Sequence, residues 1–157
     1  MSEQKSLVVV ITHGTDHELS SVGFTIANGG ITAGLKVHIF LTSAGVDLVR
    51  RNAIDTTQVA PLEPLAALVK DFLQRGGTLW ACTPCVKARG YTQDHLIEGT
   101  IITGASVLHE QIKNGAATLS TLVVILLIVT PAALLLSALA REAPQLAEYL
   151  RDRKSVV

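Results

Sequence analysis

Two cysteines in 157 residues are too few for a disulfide framework of the secreted kind, and no second Cys-x-x-Cys accompanies them to complete the four ligands of a structural zinc. No metal is therefore expected. Thirteen basic residues balance thirteen acidic ones, so the chain has no basic excess for a phosphate backbone, and nucleic acid is not an expected partner. No Gly-x-Gly-x-x-Gly follows the first strand candidate, which leaves a nucleotide or flavin role resting on fold analogy alone. No cofactor is expected. The first apolar run, Leu7 to Ile11, is shorter than a signal-peptide core and meets His13 and Asp16 at once. The amino terminus reads as mature and a reducing cytoplasm as the compartment.

What is present is an alternation of strands and helices. Leu7 to Ile11 is a β-branched run suited to a strand buried on both faces, and apolar residues recur at helical spacing from about Asp16 to Ala33, weakened by Gly29 and Gly30. A second strand, Lys36 to Leu41, runs into the polar turn Thr42-Ser43-Ala44-Gly45 and a short helix over Val46 to Arg50. Residues 51 to 60 read as an exposed loop. Pro61 and Pro64 fit a helix start, Leu65, Leu68, Val69 and Phe72 make one apolar face, and Gly76-Gly77 is the stop. Strands at Thr78 to Cys82 and Thr100 to Thr103, helices at Thr83 to Arg89 and Val107 to Lys113, and a last strand from Ala117 complete the series. The pattern predicts an α/β fold with a flavodoxin-like, doubly wound, mainly parallel five-stranded sheet over residues 1 to 120.

The remainder differs in kind. No charge occurs from Leu122 to Ala140, a length close to the ~20 residues that span a bilayer core. Three readings compete for this apolar extension, 121 to 140: a membrane span, a last strand followed by a core helix after Pro131, and an oligomer interface. If the thiol domain is cytoplasmic, a single span would send Arg151, Arg153 and Lys154 outside, against the positive-inside tendency. Residues 141 to 157 form a polar tail.

The chemistry concentrates in Trp80-Ala81-Cys82-Thr83-Pro84-Cys85, where a strand gives way to a helix. A sulfur at a helix start lies near unpaired N–H groups and the positive end of the helix dipole, and both favour the reactive thiolate. Lys87 and Arg89 add nearby positive charge. Against this stands the reading of both cysteines as small, inert core residues. His13 and Asp16 after the first strand, and Thr42 and Ser43 after the second, share that carboxyl edge of the sheet. His13, Thr42, Ser43, Lys87 and Arg89 are accordingly candidates for a substrate or anion pocket, although an exposed His, a capping Asp and ordinary turn hydroxyls explain them as simply. Tyr91 and His95 are candidates for gating access. The histidines at 13, 17, 38, 95 and 109 read as scattered, and Lys70-Asp71 as a solvated helix face.

Trp80 to Gly90, with Leu96-Ile97-Glu98-Gly99, the closing Asn114 to Ser120 and the middle stretch Val37 to Gly45, resembles the DsrE/DsrF-like family of small sulfur-relay proteins. The resemblance covers about residues 5 to 120. It implies a flavodoxin-like sheet, homo- or hetero-oligomers of three or six subunits, and sulfane sulfur carried as a persulfide on a cysteine eight residues before an Arg-Gly glycine. Cys82 stands in that relation to Gly90, and Cys85 is then a second or resolving thiol. The implied function is a sulfurtransferase-type carrier that loads Cys82 and passes sulfur to a partner thiol on another carrier protein. Alternatives are a dithiol-disulfide oxidoreductase cycling Cys82 and Cys85, and a non-catalytic assembly subunit. Thioredoxin is set aside, because the motif follows the third strand rather than opening the sheet.

Overall fold

The computed structural model describes residues 5–119. β1 (Ser6–Ile11), β2 (Lys36–Leu41), β3 (Thr78–Cys82) and β4 (Thr100–Thr103) form the body of one parallel sheet, and a three-residue β5 (Ala117–Leu119) pairs with the other edge of β1. The order is β4-β3-β2-β1-β5. Between the strands lie α1 (Glu18–Thr32), a 3-10 helix (Ser43–Val49) followed by α2 (Leu65–Gln74), α3 (Thr83–Ala88) and α4 (Ser106–Lys113). The chain steps outward in one direction from β1 to β4 and then returns across the sheet. Right-handed crossovers put α1 and α2 on one face and α4 on the other. The single reversal comes after β4, whereas the flavodoxin order reverses after β2.

Continuous apolar strands are what a two-sided cover demands. On one face Leu7, Val9, Ile11, Val37, Ile39, Leu41, Leu79 and Ala81 meet Phe24 and Ala27 of α1 and Leu68 and Phe72 of α2 in a single buried cluster. Phe24 and Phe72 pack edge to face, 6.0 Å between centroids. Gly30 does not break α1. A Cβ there would come within 2.9 Å of Leu7 Cδ2 and 3.1 Å of Val37 Cγ2, so its absence lets the helix approach the sheet. Alternation sends Val8, Val10, His38, Phe40 and Trp80 to the opposite face. There the His38 ring lies flat on Trp80, 4.6 Å between centroids and 5° from parallel. His38 is buried, and neither of its ring nitrogens has a hydrogen-bond partner among the described residues.

Several boundaries depart from the sequence expectation. The short helix after β2 begins at Ser43 and is 3-10 throughout, and α2 begins at Leu65 with Pro64 as its cap. The stretch 51 to 60 is not wholly exposed, because Ile54 is buried against the core. Backbone bonds Arg51 N–H to His95 carbonyl and Ile97 N–H to Val49 carbonyl tie this stretch to the segment after α3. Among the described residues no helix is long and apolar enough to cross a membrane. The expectations for the apolar segment 121 to 140 and the tail 141 to 157 lie outside the described residues.

Candidate functional site

The carboxyl ends of β2 and β3 are adjacent because the strands pair in register, Leu41 beside Ala81. The loops that follow them, Thr42-Ser43 and Cys82 to Cys85, are thereby brought together although some forty residues separate them in the chain. Cys82 caps α3, Pro84 sits in its first turn where a missing N–H costs nothing, and Cys85 is the third residue of the helix. Gly45 anchors the other loop. A side chain there would collide with the Ile11 carbonyl oxygen, and its N–H instead reaches the Thr12 carbonyl at 3.2 Å.

The two sulfurs have different surroundings. Cys82 is 9% exposed and belongs to the buried cluster, whereas Cys85 is half-buried at the surface. The Ser43 backbone N–H donates to Cys85 Sγ at 3.2 Å, and the Thr42 hydroxyl lies 3.5 Å from the same atom. Ser43 holds φ at +53°, left-handed backbone for a residue with a side chain, and this turn carries the N–H that meets the sulfur. The Thr42 hydroxyl, then the Ser43 N–H, a hydrogen bond with the Cys82 thiol and the Arg89 charge hold the Cys85 thiol below its ordinary pKa, against an upward push from partial burial. The stabilising donors belong to the loop after β2. α3 has only six residues, so the expected contribution of its own dipole is secondary.

Arg89 is fixed from the side. Its Nε meets Asp47 Oδ1 at 3.0 Å, and its guanidinium also donates to the Cys85 carbonyl at 3.4 Å. Tyr91 donates its hydroxyl to the same Asp47 oxygen at 3.0 Å, and partial burial followed by this bond raises the phenol pKa. Sequence reasoning missed Asp47. Nothing in a lone Asp inside the run Val46-Asp47-Leu48 marks it as the partner of residues 42 and 44 positions further on. Lys87 is exposed on α3 and touches none of these groups.

Other candidates fall elsewhere. His13 is exposed, bonded to its neighbour Thr12 at 3.2 Å, and its ring lies against that of His17, 3.9 Å between centroids and tilted by 39°. Its loop adjoins the Thr42 loop through the Gly45–Thr12 bond without reaching a sulfur. The i, i+4 spacing of His13 and His17 was the available signal for that ring pair, so these two histidines are not scattered. The cap of α1 is His17, whose Nδ1 accepts from the Leu19 N–H, and not Asp16. His95 closes a turn with Thr92, accepting its N–H at 3.0 Å, which explains the side chain without a gating role. Among the described residues no three His, Cys, Asp or Glu side chains converge as a metal site would need. A cavity of about 280 Å³ opens among Ile54, Val69, Lys70, Leu73 and Ile97 and contains neither sulfur.

The model of the DsrE/DsrF-like family matches residues 5–121. The chain belongs to that family. Sulfur relay with partner proteins is the business of the family as a whole, and a surface thiol poised for ionisation accords with it. Over 100 residues the chain is 30% identical to "Uncharacterized protein MJ0760" of Methanocaldococcus jannaschii, which covers 63% of this chain and 36% of that protein. It is 31% identical over 94 residues to "Uncharacterized protein MJ0989" of the same organism, covering 58% of this chain and 77% of that one. The match thus spans about a third of MJ0760 and most of MJ0989. Among solved structures the ychN protein of E. coli superimposes with a TM-score of 0.56 at 18% identity, covering 74% of this chain and 97% of its own. MTH1491 of Methanobacterium thermoautotrophicum gives 0.52 at 22% identity, covering 73% and 98%. At such identities the likeness is one of fold.

Proposed function

We propose that this DsrE/DsrF-like protein is a sulfur carrier that accepts sulfane sulfur as a persulfide on its Cys82–Cys85 pair and hands it to a thiol of a partner protein. The observation that carries the reading is the pair of donors, Ser43 N–H and Thr42 hydroxyl, trained on the half-exposed Cys85 sulfur. Family spacing marks Cys82 for the cargo, but accessibility and hydrogen bonding favour Cys85 as the atom that meets the donor. Cys85 thiolate attacks the outer sulfur of a donor persulfide, the donor's S–S bond breaks, and the donor leaves as a thiolate that takes up a proton. In the second half the acceptor thiolate attacks the same outer sulfur and Cys85 departs as thiolate. A lowered pKa serves both halves, raising the ionised fraction at attack and the leaving ability at transfer.

The site needs no acid or base beyond these donors, since rate follows thiolate fraction and access. The partners are other sulfur-carrier proteins, and the cytoplasm and an oligomer of three or six copies fit the same reading. Anaerobic treatment with polysulfide followed by intact-mass measurement tests it. The protein is expected to gain one sulfur mass, Cys82→Ser to keep that gain and Cys85→Ser to lose it. Loss in Cys82→Ser alone would return the cargo to Cys82, and no gain in any form would leave an assembly subunit. The presence of two free thiols three residues apart at the start of α3 favours one second reading, a dithiol-disulfide cycle, which requires both cysteines for every turnover.

A further inference from the structure

One feature of the pair has no part in simple carriage: a second thiol, Cys82, caps the helix whose third residue is Cys85, and it is buried where Cys85 is half-exposed. Both are free thiols. Residues three apart across the first turn of a helix fall within the roughly 4.4–6.8 Å Cα separation that a disulfide accepts. A persulfide on the half-exposed Cys85 would have the buried Cys82 thiol three residues away as its attacking group and its own outer sulfur as the leaving group, the two partners thiol-disulfide exchange requires.

We propose that the protein is also a sulfide-releasing enzyme acting on its own persulfide: Cys82 attacks Cys85 Sγ, the bond to the outer sulfur breaks, and hydrosulfide departs to solvent. The balance is Cys82 thiolate plus Cys85 persulfide giving the Cys82–Cys85 disulfide plus hydrosulfide. The two thiols lose two electrons and the sulfane sulfur gains them. One turnover therefore needs no outside reductant, and a small dithiol resets the pair. The cargo has two fates, set by which sulfur is attacked. An acceptor thiol takes the outer sulfur, and in its absence Cys82 takes the inner one. The Ser43 N–H and Thr42 hydroxyl hold that inner sulfur in place for either attack.

The inference rests on Cys85 as the loaded atom, and the experiment separates the two. The full-length protein is loaded anaerobically with polysulfide, desalted, and followed by a sulfide electrode and intact mass without added thiol. Expected is one sulfide per chain, with the mass falling from one added sulfur to two hydrogens below the reduced protein, at a first-order rate unchanged by dilution. Cys82→Ser and Cys82→Ala should load and then hold their sulfur, with sulfide release lost. Wild type that keeps its sulfur as long as those variants, or release that slows on dilution, overturns the inference and leaves the carrier reading standing. Failure of both Cys82 variants to load while retaining the wild-type circular dichroism spectrum removes Cys85 as the loaded atom, and the inference with it. Addition of dithiothreitol to the spent protein should restore both thiols and permit a second equal release.

Discussion

β2 carries two titratable neighbourhoods a few residues apart, and they are opposite in kind. At its carboxyl end the chain turns two donors onto Cys85, so the ionised form is the one the fold prefers. In its middle, His38 is pressed against Trp80 with both ring nitrogens unpaired among the described residues, and burial, with a smaller push from the Lys36 charge, lowers its pKa so that the neutral ring is preferred. Hydrogen-bond supply decides the difference. A strand interior spends its backbone donors on the ladder, whereas the first residues beyond a parallel strand still have N–H groups to offer a ligand or a sulfur.

The contrast can be broken most severely at Ser43. Proline there removes the N–H and cannot hold φ at +53°, so Ser43→Pro should destabilise the domain by more than about 1 kcal/mol and bring Cys85 alkylation at neutral pH down to that of an ordinary thiol. Ser43→Gly keeps the donor and relieves the backbone, so unfolding by urea should show equal or greater stability with alkylation unchanged. Equal loss in both variants would mean that the serine side chain, and not the N–H, matters. Thr42→Val subtracts one hydroxyl of near-equal volume. A few-fold slower alkylation at neutral pH is expected, in keeping with about 1 kcal/mol for one hydrogen bond, and the midpoint of the pH profile should move up.

The histidine side is sharpened by pH. His38 binds its proton less readily folded than unfolded, so the unfolded chain takes up more protons and stability must fall as pH drops below the ordinary histidine value of about 6.5. The Cys85 contribution has the same sign in a higher window. Its folded pKa is lowered, so the stabilisation is complete above the ordinary thiol value of about 8.5 and is lost as pH falls through the folded pKa. Urea midpoints read by Trp80, the sole tryptophan, should follow both slopes, with His38→Phe flattening the lower one and Cys85→Ser the upper. An acid-side slope surviving in His38→Phe would assign it to other groups. The smallest effect belongs to Asp47→Asn. It loosens a half-exposed ion pair worth at most about 1 kcal/mol, with a change in Tyr91 titration as its signature.

Much of this architecture was open to reading along the chain. The β-branched run at Leu7 to Ile11 and the strand Lys36 to Leu41 lie where periodicity put them, because a strand buried on both faces has little freedom in composition. Gly30 was harder. Helix propensity counts glycine as a fault, while its purpose is the contact distance between α1 and Leu7, a quantity with no local signature. The two cysteines were found by spacing, but which of them faces water depended on the core that closes over Cys82. Asp47 had no signal at all, and the three-residue pairing of β5 on β1 depended on a chain return invisible to any local window.

Sequence alone determined the strand–helix alternation, the Cys82–Cys85 motif at the end of β3 and the family to which those residues point, since each is written in side-chain chemistry within a short stretch. Only the tertiary structure decided that Ser43 and Thr42 serve Cys85, that Arg89 is pinned by Asp47, and that His38 lies buried on Trp80. Those relations arise from the parallel register of β2 and β3, which brings together atoms some forty residues apart by summing weak contacts over the whole sheet.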